Sequence, residues 1–143
     1  MAVSAKVYSK FHLSALLKTI DYTNDTIKIM LCTSSYTPAQ DTHQFKSDVT
    51  AEVVGTGYTA TGATLASKTA ASAAHVATFD AADVVWSAST ITARYAVVYD
   101  ATPASDATRP LICYIDFGAD IISSGGTFTI TLDTLGLFTM TVS

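Results

Sequence analysis

Three observations predict an all-β fold, an antiparallel β-sandwich of jelly-roll-like kind with one short N-terminal helix. Runs of β-branched and aromatic residues, such as Thr26–Thr33 and Trp86–Tyr99, are short and bounded by turn residues. Residues 127–132 and 137–142 alternate apolar and polar side chains with the period of two that a half-covered strand requires. About eight such runs follow one another at turn spacings of roughly 8–12 residues, and only one segment shows helical spacing. The 143 residues fit a single domain, 1–143, with residues 1–20 as an N-terminal arm.

In the arm, Leu13, Leu16, Leu17 and Ile20 recur at the three-and-four spacing of one helical face, preceded by Val7, Tyr8 and Phe11. The helix is too short to be stable alone, so this apolar face must dock, either on its own sheet or on a neighbouring subunit. Asp21–Asp25 reads as a polar turn. Thr26–Thr33 is a strand with Ile27, Ile29 and Leu31 on one face and Lys28, Met30 and Cys32 on the other. Ser34–Ser47 is a long loop of the kind that is usually functional or covered. Val49–Val54 reads as a short strand ended by Gly55-Thr56-Gly57. The Ala- and Thr-rich stretch 58–78 reads as two weak strands, and Phe79–Trp86 as a turn leading into the next strand.

The spine of the chain is Trp86–Gly118, two strands joined by the loop Ala101–Ala107. Alternation places Ile91, Ala93, Tyr95, Val97 and Tyr99 on one face of the first, and Leu111, Cys113, Ile115 and Phe117 on one face of the second. Apolar residues on both faces imply central strands covered on each side. Ile121–Gly126 then reads as a turn ending in Ser-Ser-Gly-Gly, and Thr127–Leu132 with Leu137–Val142 as a hairpin.

Composition narrows function. Charged residues make up 14 % of the chain and hydrophobic ones 49 %, with a mean hydropathy of +0.34. Ordinary soluble domains carry about 25 % charged residues. No apolar run approaches the roughly 20 residues of a membrane helix, and the N-terminus does not read as a signal peptide. So weakly charged a surface is poorly protected against association, which implies that part of it is covered by other protein. The net charge of −4 and the lack of any Lys/Arg cluster argue against nucleic acid as a partner. Cys32 and Cys113 both fall in strands, where buried free thiols are the commoner case, although a bridge between them stays open. Asn24-Asp25-Thr26 matches a glycosylation acceptor but reads as the turn before a strand.

Candidate chemistry is sparse. Gly55-Thr56-Gly57-Tyr58-Thr59-Ala60 fits a relaxed dinucleotide pattern, yet no helix follows whose amides could hold pyrophosphate. Asp41-Thr42-His43 with Asp48 is the best metal candidate, at a spacing that matches no strong ligand motif. Asp80 with Asp83, or Asp116 with Asp120, could pair as in glycoside hydrolysis; Asp83 or Asp116 could equally hold Arg94 and fix register. His12, His43 and His75 lie in unlike segments, and nothing arranges them beside a nucleophile. Tyr36, Tyr58, Tyr99 and Tyr114 could form an aromatic contact surface, or bury their rings and hydrogen-bond their hydroxyls. The expectation is therefore no enzyme, no cofactor and no metal.

Three phrases carry a resemblance: T-I-K-I-M-L-C-T-S-S-Y-T-P-A-Q-D-T-H from Thr26, D-V-T-A-E-V-V-G-T-G-Y-T-A from Asp48, and the span Trp86–Phe117. Together they resemble a family of small structural proteins of tailed bacteriophages. The resemblance implies a virion component without catalytic residues, a capsid decoration or cement protein. It would be made in the host cytoplasm and carried on the capsid surface. Its partners would be the major capsid protein and copies of itself, a trimer being the expected oligomer. Nucleic acid, membrane and small-molecule substrates are not expected. Val7, Tyr8, Phe11, Leu13, Tyr36 and Phe45 are the candidate subunit-contact residues. The alternatives are a tail or head-to-tail component, and a sugar-binding host-recognition sandwich using the tyrosines or the Asp41–His43 loop.

Overall fold

The structure, a computed structural model, describes residues 2–141. Two antiparallel sheets face each other, as the strand periodicity predicts. Among the described residues the elements are β1 (Ser4–Val7), α1 (Phe11–Leu16), β2 (Ile27–Cys32), β3 (Ala63–Thr64), β4 (Thr69–Ala73), β5 (Val76–Asp80), β6 (Val84–Asp100), β7 (Leu111–Ile130) and β8 (Phe138–Thr141). The larger sheet has the order β1-β7-β6-β2-β3 and the smaller β4-β5-β8.

The predicted spine is present. β6 and β7 pair antiparallel over almost their whole length, joined by the expected loop. Neither strand keeps one face throughout. The register shifts between Ala93 and Tyr95, so Ile91 and Ala93 point between the sheets while Tyr95, Val97 and Tyr99 point to the opposite face. On β7, Leu111 likewise lies on the outer face, and Cys113, Ile115 and Phe117 on the inner. A side-chain period of two carries through a strand only until a bulge resets it. Asp116 locks this bulge: its Oδ1 accepts from Arg94 Nε and from the Gly118 amide, each at 2.8 Å. The register role foreseen for Arg94 and Asp116 is thus present, whereas Asp83 accepts the Leu132 amide instead.

Between the sheets lies the main core, built from Ile27, Ile29 and Leu31 of β2, Trp86, Ala96 and Val98 of β6, Ile115, Phe128 and Ile130 of β7, and Phe138 of β8. Phe79 stacks on Phe138 at 4.6 Å and Tyr22 meets both edge-on. The outer face of the larger sheet carries a second core of Tyr8, Met30, Cys32, Tyr36, Val97, Tyr99, Leu111 and Tyr114. The long loop after β2 supplies its cover, so both faces of the central strands are dry.

Four segments depart from the sequence reading. Residues 1–20 hold a strand as well as a helix: β1 pairs with β7, Ala5 opposite Ile115. Val49–Val54 pairs with β2 only around the Cys32–Glu52 bridge, because Ala51 takes a positive φ of 55° that interrupts an extended run. Ile121–Gly126 is not a turn. β7 runs through it, with Ser123 buried and bonded to Ser89 at 2.8 Å, and Gly125 absorbs a register shift at φ +67°. The C-terminal hairpin does not form either among the described residues: β7 pairs with β6 while β8 pairs with β5, and there only Asp133 and Gly136 bridge, within the connecting turn. Alternation identifies which face is apolar and leaves the partner strand open. Phe128 and Phe138 both point inward, as expected, but from opposite sheets; Val142 lies outside the described residues. The weak hairpin predicted within 58–78 is present as β4 and β5, turning on Ala74 and His75 with φ of 50° and 67°.

Candidate interaction surface

The structure divides the candidate contact residues. Tyr8, Phe11 and Tyr36 sit in the chain's own cores and offer no surface to a partner. Tyr8 packs on Tyr114 at 5.1 Å, and Phe11 meets Phe138 edge-on at 5.3 Å. Val7 is half-buried in β1, and Phe45 is half-buried where it bridges Pro110. Leu13 stays exposed.

The helix explains this division. Its docked side is Phe11 and Ser14, with Ala15 partly covered. The leucine face that spacing alone would turn inward points outward: Leu13 is 48 %, Leu16 83 % and Leu17 68 % exposed. Tyr8, just after β1, and Phe11 fix the arm in the two cores, and the short helix must follow the direction they impose. Beside this ridge lies a groove of about 560 Å³ lined by Ala15, Lys18, Ile20, Tyr22, Ala70 and Phe79. The ridge is apolar, whereas the groove also takes Lys18, Asp21 and Thr23 into its lining. Contiguous patches of this kind mark interaction sites, whereas single exposed apolar residues do not.

The other sequence candidates are structural. Asp41 accepts from Ser9 Oγ at 2.6 Å, and Asp48 accepts from the amides of Gln44 and Phe45. Desolvation opposes the charge of Asp48, but those amides and nearby His43 hold its pKa below the ordinary carboxylate range. Among the described residues no three His, Cys, Asp or Glu side chains converge as metal ligands would. Asp80 Oδ1 accepts the Ala81 amide, and Asp116 serves Arg94.

Gly55, Gly57 and Gly62 belong to turns laid against strands. A Cβ on Gly62, whose φ is +79°, would stand 2.0 Å from the Ile29 carbonyl oxygen. Tyr36, Tyr99 and Tyr114 are buried and Tyr58 half-buried, so they present no stacking platform for a sugar. Tyr58 donates to Glu52 at 2.8 Å and Tyr99 to the Thr61 carbonyl at 2.8 Å. Sequence reading missed the chain Tyr8–Tyr36–His43, with a buried hydroxyl pair at 2.8 Å and a part-buried imidazole contact at 2.9 Å, because only the fold brings the arm's Tyr8 to the loop that carries Tyr36 and His43. Burial raises the Tyr8 pKa strongly and pushes Tyr36 up to about 12, so both hydroxyls stay protonated at neutral pH. Cys32 and Cys113 are free thiols on opposite faces of the larger sheet, and burial pushes each up to about 12. They are packing groups at neutral pH.

The geometry therefore defines a two-sheet β-sandwich with an exposed leucine ridge beside a groove of mixed lining on one flank. No protein-family model, no curated protein and no solved structure matches the chain.

Proposed function

We propose that this chain is a structural protein of a tailed-bacteriophage virion, specifically a capsid decoration protein that binds the head shell and stabilises it. The observation that carries this reading is the outward leucine face of α1, on a chain of which only 14 % is charged. The resemblance of the β2, Asp48–Ala60 and Trp86–Phe117 phrases to phage structural proteins supports it. Burial of this surface against neighbouring subunits needs no reactive group. Stable protein interfaces bury about 1,200–2,000 Å² in total, and repetition over a shell multiplies individually weak contacts by avidity. The proposed partners are the major capsid protein and further copies of the chain, with a trimer as the expected assembly.

The test is the copy number of the chain in purified particles by quantitative mass spectrometry, for wild type and for a Leu16→Lys/Leu17→Lys variant. A copy number commensurate with the major capsid protein, falling in the variant while its isolated fold persists, is the expected result. A handful of copies per particle would instead support the tail or head-to-tail alternative. Absence from purified particles ends the virion reading altogether.

A further inference from the structure

β1 is an edge of the larger sheet, and its free side is guarded at one end only. Tyr8, just after the strand, donates its amide to the Ile112 carbonyl at 3.0 Å, and the register runs back through Lys6 opposite Tyr114 and Ser4 opposite Asp116. In an antiparallel ladder alternate residues bond the partner strand. The amides and carbonyls of Val7 and Ala5, and of Val3 just before the strand, therefore point away from β7. Gln40, from the loop after β2, covers one end of this row. Its Nε2 donates to the Val7 carbonyl at 2.9 Å, and its own carbonyl accepts the Ser9 amide at 3.0 Å. Beside Ala5 and Val3 no strand lies among the described residues.

The side chains of the same row are apolar. Val7 packs against the core between the sheets, and Val3 and Ala5 continue its face, Val3 at 65 % exposure. Val3 and Ala5 also line a cleft of about 530 Å³, with Phe117, Leu132 and Leu137 in its walls and Thr129, Thr131 and Asp133 as its polar members. A second cleft of about 260 Å³ adjoins it at Ala5 and Leu137 and reaches Phe138. The sandwich is thus open along β1, where an unpaired backbone row lies beside largely apolar walls.

We propose that this edge pairs with β1 of a second copy of the chain, antiparallel about a two-fold axis at Ala5. In that register each Ala5 amide donates to the Ala5 carbonyl of the other copy, and each Val7 amide to its Val3 carbonyl. Lys6 stands opposite Ser4, so no like charges meet. Residues directly opposite each other share a face, which lays the second Val3, Ala5 and Val7 over the clefts. Centring on Lys6 would set two ammonium groups against each other, centring on Val7 would drive the strand into Gln40, and a shift toward Ser4 shortens the ladder. Lys6 and Gln40 guard the edge against arbitrary strands and leave this register open. The contact is isologous and closes at two copies. It concerns the isolated chain and does not rest on the virion reading, whose expected trimer would use other contacts.

Sedimentation velocity of the isolated chain over a range of concentrations tests the pairing. Wild type should pass from one chain to two as the concentration rises. Ala5→Pro should abolish the pair and keep the fold, because the lost amide faces away from β7 and proline is tolerated on the free side of an edge strand. Ser4→Lys should weaken association about tenfold, since it sets lysines directly opposite each other twice across the axis; within the chain the new lysine faces Asp116. Trp86 fluorescence checks each fold. If Ala5→Pro does not fold, Ser4→Lys decides together with hydrogen exchange at the wild-type Ala5 amide, where protection should rise with concentration. A chain that stays single at millimolar concentration, a mass of three chains, or association that neither variant weakens would overturn the proposal. Ala5 protection found only in purified particles would overturn it as well, giving the edge to a different protein.

Discussion

The orientation of α1 makes a prediction on which periodicity and tertiary structure disagree. Spacing alone turns Leu13, Leu16 and Leu17 inward; the structure turns Phe11 inward and the leucines out. Leu16 is 83 % and Leu17 68 % exposed, so truncating both to Ala removes about half of one leucine's burial. At about 2 kcal/mol for a fully buried leucine, that is about 1 kcal/mol, partly offset by the better helix propensity of Ala. Phe11 is 4 % exposed and wedged against Phe138. Its truncation to Ala should cost about 3–5 kcal/mol through lost burial and a residual cavity. Urea unfolding followed by the fluorescence of Trp86, the single tryptophan, separates the variants, with protein concentration fixed because association shifts apparent stability. A Leu16→Ala/Leu17→Ala variant as destabilised as Phe11→Ala would refute the assigned orientation and, with it, the exposed ridge.

Three further outcomes are expected. Gly62→Ala should lose more than the roughly 1–3 kcal/mol of a strained backbone residue, because the added carbon meets the β2 backbone; Gly125→Ala, with φ +67° and open space around it, should lose about 1–2 kcal/mol in thermal or urea unfolding. The Lys46–Asp106–Arg109 cluster should weaken in acid: hydrogen bonds and charge from Lys46 first, and Arg109 second, hold Asp106 below its ordinary pKa. A depressed pKa stabilises above the unfolded value of about 3.9 and ceases to as the pH falls through the folded one. Asp106→Asn should therefore flatten the acid limb of the stability–pH profile while leaving the alkaline limb unchanged. Finally, reductant should leave the melting temperature unchanged, and thiol labelling of Cys32 and Cys113 at neutral pH should follow global unfolding; a fast-reacting fraction in native protein would show that one of them is accessible.

The sequence by itself determined much of the fold. β-branched runs and turn clusters specified the all-β class, the paired strands β6 and β7, the Asp21 turn and strand β2, because these depend on neighbours in the chain. Arg94 was legible as half of a register pair with Asp83 and Asp116 both open as its partner, and only the strand register picked Asp116. The Thr127–Leu132 and Leu137–Val142 alternations placed Phe128, Ile130 and Phe138 inward correctly, set Leu137 on the wrong side and gave the wrong partners, as period says nothing about which strand lies alongside. Tertiary structure alone decided that the bulge at Arg94 exchanges the faces of β6 and that the loop after β2 seals the outer core with Tyr36. It also decided that the leucines of α1 face outward. A helix of six residues is too weak to choose its own orientation; the aromatic anchors on either side of Lys10 choose it, and their partners lie more than a hundred residues further along the chain.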